Sequence, residues 1–480
     1  HELAEAGEIP EVPIYHDSPM ALPALEVYRR VATDPAEMQA GAVAALSGNA
    51  IRIAASTEES IRLNAPPEPC VIISASGMAT GGRVLHHLRS LLPNPDITDF
   101  PLDGREAVAT IIEQVREGGD SSLFDLAEKF DGARPTALRV PRERCLAALD
   151  GLSNHRRDAL EFALANITRF HEARVRTEEP VEVVHGVRSW REFRPIDRIG
   201  VYAPGGRAAY PSSVLMAVAP ARIAGVGEIA VCCPGGPAGI PPESVLAACA
   251  LLDVDEVFSV GGAQAIAALA IGTRSIRAVD KIFGPGGAWV NAAKLALYPE
   301  VEIDIPAGPS EVVVWADLSA DPLFVASELV AQAEHGPDSS AVCILSDPAD
   351  DCGRRLELLA ERIADDVARS LAELSGGPTV GSARESLAAS AIVVCEDDKT
   401  GEEQVNDLAS EHLVLLRKNP AVDLSRIRHA GSVFLGPWSP VAAGDYASGT
   451  NHVLPTGRRA RATSGLCLDD FGRWLQVQEI

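Results

Sequence analysis

Short apolar segments alternate with alanine-rich helical stretches over most of the chain after residue 198. The apolar runs predict two sets of strands, at 199–202, 229–233, 257–260 and 281–283, and then at 311–315, 341–345 and 390–394. Strands that alternate with helices form parallel sheets with right-handed crossovers. The pattern therefore predicts an α/β fold with two doubly wound, incomplete Rossmann-like lobes, each built on a parallel sheet.

A helical region precedes the first lobe. Between Ala107 and Phe170, apolar residues recur at helical spacing, for example at Ile111, Ile112 and Val115. This spacing predicts a group of N-terminal helices. We expect four divisions here: a helical part at 99–200, one lobe at 201–308, a second lobe at 309–455, and the start of a C-terminal region at 456–480.

The first 98 residues differ in character from the rest of the chain. Pro93 and Pro95 end an apolar helix, and before them the sequence predicts a buried strand at 69–74, a turn at 77–82 and a helix at 83–92. Together with residues 12–20, this unit resembles the beta-CASP part of metallo-β-lactamase-fold nucleases. Residues 1–98 are thus expected to be a beta-CASP-like fragment, poorly folded because so short a piece lacks sheet partners for its strand.

The metal-binding H-x-H-x-D-H run of those nucleases does not occur in the chain. Without that cluster there is no activated water and no hydrolysis. His86 and His87 are therefore better explained as helix-surface residues than as a remnant phosphate or metal contact. We interpret residues 1–98 as a fusion or gene-boundary remnant.

Composition narrows the class of protein. With 480 residues, 46% hydrophobic and 5% aromatic content, the chain is typical of a soluble α/β enzyme of two to four domains. A net charge of −25 opposes binding to nucleic acid, which needs a basic surface. No apolar run approaches the ~20 residues that span a membrane. We expect a cytoplasmic protein with neither a nucleic-acid nor a membrane partner, in which local groups such as helix N-termini or Arg207 meet any anionic cofactor.

The nine cysteines are scattered, odd in number and include no C-x-x-C pair. This spacing indicates reduced thiols, mostly in the core. It favours neither a disulfide framework nor a thiolate zinc site.

Glycine and proline clusters follow several predicted strands, at 203–207, 234–236, 261–264 and 284–287. Loops at the carboxyl ends of parallel strands are where open α/β sheets bind ligands. None of the clusters reads G-x-G-x-x-G, however. Taken singly, each cluster is more often an ordinary tight turn than a cofactor-binding loop.

Three histidines stand beside carboxylates in polar, glycine-containing segments, at 332–338, 410–413 and 445–452. On a helix, Gln332 and His335 would share a face and could reach one metal ion. A single Gln-x-x-His motif is usually a helix end with a solvent-exposed histidine. Glu411 and His412 could likewise be a helix end or an ion pair. Three such segments in one chain favour a functional site.

The order of these motifs resembles that of the histidinol dehydrogenases, from about Pro101 to Ile480. The resemblance rests on the segments 201–206, 261–270, 279–286 and 305–311, together with the three histidine segments. It implies a homodimeric enzyme that oxidises L-histidinol through the aldehyde to L-histidine, with two NAD per turnover and one zinc ion.

The resemblance also implies roles for individual residues. They are zinc ligands (Gln332, His335 and Asp445), an acid–base pair (Glu411 and His412), substrate contacts (Ser310 and His452) and NAD contacts (Tyr202, Gln264 and the position of Gly287). An imidazole with a near-neutral pKa can take an alcohol proton, and a carboxylate can help it activate the water that hydrates the aldehyde.

Two departures from the family pattern bear on activity. Gly287 stands where the family usually has an asparagine that holds the cofactor. The family also continues beyond the position of Ile480 into a helical tail that donates a glutamate and a histidine to the partner subunit. From these departures we expect weakened NAD binding, weak zinc retention and low or no turnover for the chain as written.

The sequence leaves three alternative functions open. A homologous dehydrogenase could act on another small alcohol, such as a sulfonated diol. Residues 1–98 suggest a nucleic-acid enzyme or binding protein, against which the acidic charge argues. The chain could also be a non-catalytic remnant of a fused gene.

Overall fold

The computed structural model describes residues 14–17, 51–53, 71–74, 102–205, 209–254, 256–306, 308–349, 353–374, 380–388 and 390–480. Within it, the chain divides into two compact units, His1–Thr98 and Asp99–Ile480. Several positions singled out in the sequence lie outside the described residues: the turn at 77–82, the helix at 83–92 with His86 and His87, and Arg207.

The first unit contains a small parallel sheet. Its strands are β1 (Ile14–Asp17), β2 (Ile51–Ile53) and β3 (Val71–Ser74), in the order β2-β1-β3. Ile14 pairs with both Ile51 and Val71. The strand predicted at 69–74 is therefore present over its last four residues. The expectation that it lacks a sheet partner is wrong, because it pairs with β1.

The strands of the second unit are β4 (Arg139–Val140), β5 (Val181–Val184), β6 (Val187–Pro195), β7 (Arg198–Tyr202), β8 (Glu228–Cys233), β9 (Glu256–Ser259), β10 (Lys281–Phe283), β11 (Glu302–Ile303), β12 (Glu311–Ala316), β13 (Ser340–Leu345), β14 (Ala391–Val394), β15 (His412–Leu416), β16 (Ser432–Leu435) and β17 (Gly472–Glu479). All seven strands predicted there are found, with bounds shifted by at most one residue.

The helices are α1 (Leu102–Gly118), α2 (Asp120–Asp131), α3 (Arg142–Asp150), α4 (Asn154–Glu172), α5 (Pro211–Ala224), α6 (Glu243–Leu251), α7 (Gly262–Ile271), α8 (Ala288–Leu297), α9 (Pro322–Ala333), α10 (Gly353–Glu373), α11 (Val380–Ala388), α12 (Asp398–Leu408), α13 (Pro420–Asp423) and α14 (Val441–Tyr446). Short 3-10 helices occur at Gly236–Ala238, Leu424–Arg426, Arg459–Arg461 and Leu468–Phe471. None of the helices in the described part of the chain is both long and apolar enough to cross a membrane.

The predicted N-terminal helical region consists of α1 to α4. Gly119, at φ 52° and ψ −132°, separates α1 from α2, since a positive φ is costly for residues with a Cβ atom. Ser153 caps α4 by accepting a hydrogen bond from the backbone N–H of Arg156. The helices pack beside the first lobe, where Ile167 of α4 joins a core with Val214 of α5 and Val231 of β8.

The first lobe is a six-stranded sheet in the order β11-β10-β7-β8-β9-β4, parallel except for the pair of β4 with β9. Its central strands are buried on both faces, as in β7, where all five residues are buried. Burial on both faces is typical of parallel sheets covered by helices, and it explains the unbroken apolar runs that made these strands predictable.

The second lobe is a parallel five-stranded sheet in the order β14-β13-β12-β15-β16. The predicted fold class, an α/β fold with two parallel-sheet lobes, is confirmed. Two of its strands, β15 and β16, were not predicted. His412 begins β15 and pairs with Val312 of β12 and Ser432 of β16.

A third sheet lies outside both lobes and was also not predicted. It is antiparallel, in the order β17-β6-β5, and β17 pairs with β6 over eight residues, from Gly472 with Pro195 to Glu479 with Arg188. The end of the chain thus returns to the segment just before the first lobe.

Candidate active site

A cavity of about 290 Å³ lies between the two lobes. Its lining residues from the first lobe are Pro204, Tyr210, Ser212, Ser213, Pro285, Gly286 and Gly287. From the second lobe they are Gly308, Pro309, Ser310, His335, Asp338, Ser339, Glu411, His412, Asp445, Tyr446 and His452. All three histidine segments that the sequence singled out therefore contribute to one cavity.

The two sheets meet this cavity at opposite ends. Pro204 and Pro285 follow β7 and β10, so the first lobe presents the carboxyl ends of its strands. Ser310 and His412 stand at the start of β12 and β15, so the second lobe presents the amino ends of its strands. The rule that ligands bind at carboxyl ends thus describes the first lobe only.

In the second lobe, the carboxyl edge of the sheet is filled by charged side chains. Arg417 follows β15 and places its guanidinium 4.0 Å from the ring centroid of Trp315. The same group donates to Asp423 at 2.9 Å and to Asp398 at 2.7 Å. Arg426 donates to Asp398 as well. This network takes the place that a ligand has in a typical doubly wound sheet.

Glu411 and His412 form a buried pair on the second-lobe wall, with 7% and 2% exposure. Glu411 Oε2 accepts hydrogen bonds from Ser310 Oγ at 2.7 Å and from the N–H of Glu311 at 2.9 Å. Burial raises the pKa of the Glu411 carboxyl above its ordinary value, against the lowering effects of His412 and of these hydrogen bonds. The carboxyl is thereby held in one position beside the imidazole.

The protonation of His412 follows from its contacts. Its Nδ1 lies 3.2 Å from the carbonyl oxygen of Glu311, which can only accept, so Nδ1 carries the proton of the neutral ring. Nε2 has no hydrogen-bond partner and lies 3.5 Å from Asp445 Oδ1. Burial lowers the pKa of His412, but Asp445 and Glu411 outweigh burial and raise it overall. Nε2 is therefore the proton-accepting atom of the ring.

Gln332, His335 and Asp445 line a neighbouring cavity of about 260 Å³. Gln332 is in the last turn of α9, and both its amide nitrogen and its amide oxygen are buried without a hydrogen-bond partner. The predicted arrangement on one helix is only partly right, because α9 ends at Ala333 and His335 lies in the turn that follows. The N–H of His335 bonds to the Gln332 carbonyl in that turn, which keeps the two residues adjacent.

Asp445 belongs to α14 and faces three histidines. Burial raises the pKa of its carboxyl, but His412, His452 and His335 outweigh burial and lower it overall. Within the described residues, no group of three or more histidine, cysteine or acidic side chains is placed to hold a metal ion. A metal site here would need the Gln332 amide as one of its donors.

His452 is held at the junction of the lobes. Its Nδ1 lies 3.1 Å from the carbonyl oxygen of Asp445, and burial lowers its pKa. The neighbouring Asn451 donates to the carbonyl of Met216 in α5 at 2.7 Å. This bond ties the His452 segment to the first lobe.

The three predicted NAD contacts separate into two groups. Gly287 lines the cavity as the N-cap of α8. Tyr202 and Gln264 are 6% and 1% exposed and do not line it. Tyr202 Oη instead accepts a hydrogen bond of 3.2 Å from the N–H of Gly262, and the Gln264 amide nitrogen is buried without a partner.

One residue of the cavity beside Gln332, Glu328, was missed by sequence reasoning. It lies on α9 and lines the same cavity as Gln332 and His335, and burial raises the pKa of its carboxyl. Its Oε2 accepts from the N–H of Val441 at 3.3 Å. Its spacing four residues before Gln332 was a usable signal, since such positions share a helix face.

Two parallel-sheet lobes, with a buried carboxylate–imidazole pair in the cavity between them, form the architecture of an α/β enzyme. The family model for histidinol dehydrogenase matches residues 100–480. The chain belongs to the histidinol dehydrogenase family, as its motifs predicted. Residues 1–98 match the model of the Beta-Casp domain, which confirms the predicted resemblance of that segment.

Individual relatives agree with this assignment. The histidinol dehydrogenase of Vibrio parahaemolyticus is 44% identical over 379 residues, covering 78% of this chain and 84% of the relative. That of Natronomonas pharaonis is 46% identical over 378 residues, covering 79% and 86%. The crystal structure of histidinol dehydrogenase from Elizabethkingia anophelis matches with a TM-score of 0.74 at 38% identity, covering 78% of this chain and 84% of that one.

Proposed function

We propose that this chain catalyses the NAD-dependent oxidation of L-histidinol, through the aldehyde, to L-histidine. The observation that carries the proposal is the buried pair of Glu411 and His412 at the lobe junction, with His412 Nε2 free to accept a proton. The names of the relatives supply the substrate. Ser310 and His452, which line the same cavity, are the proposed substrate contacts.

The proposed acid–base chemistry uses two side chains. His412 Nε2 takes the hydroxyl proton of the alcohol, while the hydrogen bond from Nδ1 to Glu311 keeps the ring in its orientation. Glu411, fixed by Ser310, helps His412 to remove a proton from the water that adds to the aldehyde. Burial raises the pKa of the Glu411 carboxyl toward neutrality, where general acid–base catalysis is most effective, and the raised pKa of His412 makes its ring a stronger base.

The first-lobe wall has open space beside Gly287. A Cβ atom at Gly287 would meet nothing within 4 Å, and Gly287 precedes a helix, whose N-terminus favours phosphate. We place the cofactor against Gly287, with Tyr202 and Gln264 shaping the loops behind it. NAD, when bound, supplies the hydride acceptor.

The zinc proposal rests on the Gln332 amide. Burying an amide without hydrogen bonds costs about 1 to 3 kcal/mol, so its two orphaned polar atoms indicate a missing partner. Gln332, His335 and Asp445 line one cavity and are oxygen and nitrogen donors of the kinds that zinc accepts. Zinc, when bound, would orient the substrate.

Formation of NADH at 340 nm with L-histidinol and added zinc tests the function. We expect two NADH per histidinol, and a fall in kcat of about 10²- to 10⁴-fold in His412→Asn, because the proton acceptor is lost. His185→Asn is the matched control, since His185 lies fully exposed on a hairpin. Oxidation of a sulfonated diol in place of histidinol, or equal loss in both variants, would refute the assignment.

We also propose a homodimer in the cytoplasm. The seven cysteines in the described part of the chain are unpaired, and six of them are buried, as expected in a reducing compartment. The dimer is the family expectation. Light scattering of the purified chain would test it, and a monomer mass would refute it.

A further inference from the structure

A fully buried ion pair supports the loop that forms the first-lobe wall of the cavity. Lys294 of α8 and Asp304, which follows β11, are each 1% exposed at their side chains, with Nζ and Oδ1 2.6 Å apart. Buried ion pairs are not generally retained for stability, because the desolvation of two charges offsets their attraction. Neither residue lines the cavity. The role of the pair must therefore be inferred from the hydrogen bonds that both residues make.

Both residues of the pair bind the same glycine. Lys294 Nζ donates to the carbonyl oxygen of Gly284 at 2.5 Å, and Asp304 Oδ2 accepts from the N–H of Gly284 at 2.7 Å. Gly284 has φ 114°, and a Cβ atom there would overlap the carbonyl oxygen of Tyr202. Its backbone is therefore fixed on both polar groups, in a conformation that only glycine adopts readily.

The residues that follow Gly284 reach the cavity directly. Pro285, Gly286 and Gly287 line it opposite the Glu411 and His412 pair. Asn291, in the same helix as Lys294, donates to the carbonyl of Gly286 at 3.1 Å. The loop is thus held on one side by α8 and by the Lys294–Asp304 pair. Its other side faces the cavity.

We propose that Lys294 and Asp304 are positioning residues for the cofactor: by fixing Gly284 they set the 284–287 loop against which the dinucleotide binds. This inference rests on the proposed function, since it needs NAD at this wall. A pair that only stabilised the fold would affect both ligands equally. If the pair positions the loop, its loss weakens the binding of NAD and leaves the affinity for L-histidinol unchanged.

The test is the double variant Lys294→Met/Asp304→Asn, in which no buried charge is left unpaired. Titration calorimetry should show the Kd for NAD raised about tenfold, as expected when a preorganised loop is loosened, with the Kd for L-histidinol changed by less than about twofold. Hydrogen exchange of the peptide around 284–287 should become faster without ligand. Arg417→Met is the control, because it removes a buried ion pair far from this wall, and both Kd values should stay as in the wild type.

The outcomes separate the two proposals. If the wild type fails to bind NAD, the proposed function fails with it, whatever the exchange data show. If the wild type binds NAD and the double variant binds it equally well, or loses affinity for both ligands in parallel, the positioning role is wrong. Should the double variant not fold, Asp304→Asn alone is measured in the same way and decides by the same criteria.

Discussion

Ser310 Oγ donates a 2.7 Å hydrogen bond to Glu411 Oε2, joining residues 101 positions apart at the amino ends of two neighbouring strands. The parallel register of β12 with β15, in which Val312 pairs with His412, brings these positions together. The serine hydroxyl and the Glu311 N–H hold the same carboxylate oxygen. The orientation of the acid–base pair therefore depends on the sheet itself.

Ser310→Ala should consequently lower kcat/KM for L-histidinol. A hydrogen bond to a charged group contributes about 1.5 to 3 kcal/mol, so the expected loss is about 10- to 100-fold. Ser327→Ala is a suitable control, because Ser327 is exposed and bonds only the Leu323 carbonyl of its own helix. An unchanged kcat/KM in Ser310→Ala would show that the hydroxyl is dispensable for the pair.

Arg417→Met should destabilise the protein and spare the site. Removing one partner of a buried ion pair costs about 3 kcal/mol or more, since it leaves the carboxylates of Asp398 and Asp423 less well paired. The network fills the sheet edge away from the cavity, so kcat/KM should stay within about twofold of the wild type. Urea unfolding at 25 °C tests the loss of stability, and steady-state kinetics test the unchanged kcat/KM. A large kinetic defect in a folded variant would place a ligand at this edge.

His171 should make stability depend on pH. It is 1% exposed, and burial lowers its pKa from 6.5 to about 4. Above pH 6.5 the ring is neutral in both states and has no effect, whereas between pH 6.5 and 4 the unfolded chain gains a proton that the folded chain excludes. Stability should therefore fall as the pH drops through this window, by up to about 3 kcal/mol.

The measurement is urea unfolding of the wild type and of His171→Leu at pH 7.5, 6 and 5. The variant should lose less stability on acidification than the wild type, because it has no ring to protonate. His185→Leu is the control for the histidine-to-leucine change itself, since the His185 side chain is fully exposed. Parallel curves for the wild type and His171→Leu would contradict the assignment of the effect to His171.

Gly287→Asn should tighten NAD binding. Gly287 has φ −67° and open space where a Cβ atom would go, so a side chain enters without strain. One added hydrogen bond of about 0.5 to 1.5 kcal/mol would lower the KM for NAD by about 2- to 12-fold. Gly284→Ala is the contrasting variant and should damage the loop, because its Cβ atom would overlap Tyr202. An unchanged KM for NAD in Gly287→Asn would mean that the cofactor does not pass this position.

Sequence alone predicted the central strands because they are buried on both faces and therefore read as unbroken apolar runs, as in Arg198–Tyr202. The strand His412–Leu416 is equally buried. It was not predicted as a strand, because its polar neighbours Ser410 and Glu411 led us to interpret the segment as a functional motif. The strand Gly472–Glu479 alternates in exposure and pairs with residues almost 300 positions earlier. Nothing local indicates such a partner.

The candidate site residues that could be predicted are those in short segments that combine histidine with acidic side chains. Lys294 and Asp304 lie in no such segment, and only the fold brings their side chains together. The orphaned amide of Gln332 is likewise a property of packing. Sequence reasoning finds residues that share a segment and misses those that meet only through the sheet.

Gln332→Leu separates a metal ligand from a buried amide of no function. In chelator-treated protein the leucine should be neutral or stabilising by about 1 kcal/mol or more, since it removes two unsatisfied polar atoms. In the presence of zinc, the wild type should gain thermal stability, because a ligand that binds only the folded state stabilises it. The variant should gain little, and its bound zinc, measured by atomic absorption, should fall well below that of the wild type. Leu329→Met, a core change on the same helix, is the control and should keep the zinc response. Equal zinc-induced stabilisation in Gln332→Leu would remove Gln332 from the proposed metal site and leave its buried amide without a ligand-binding role.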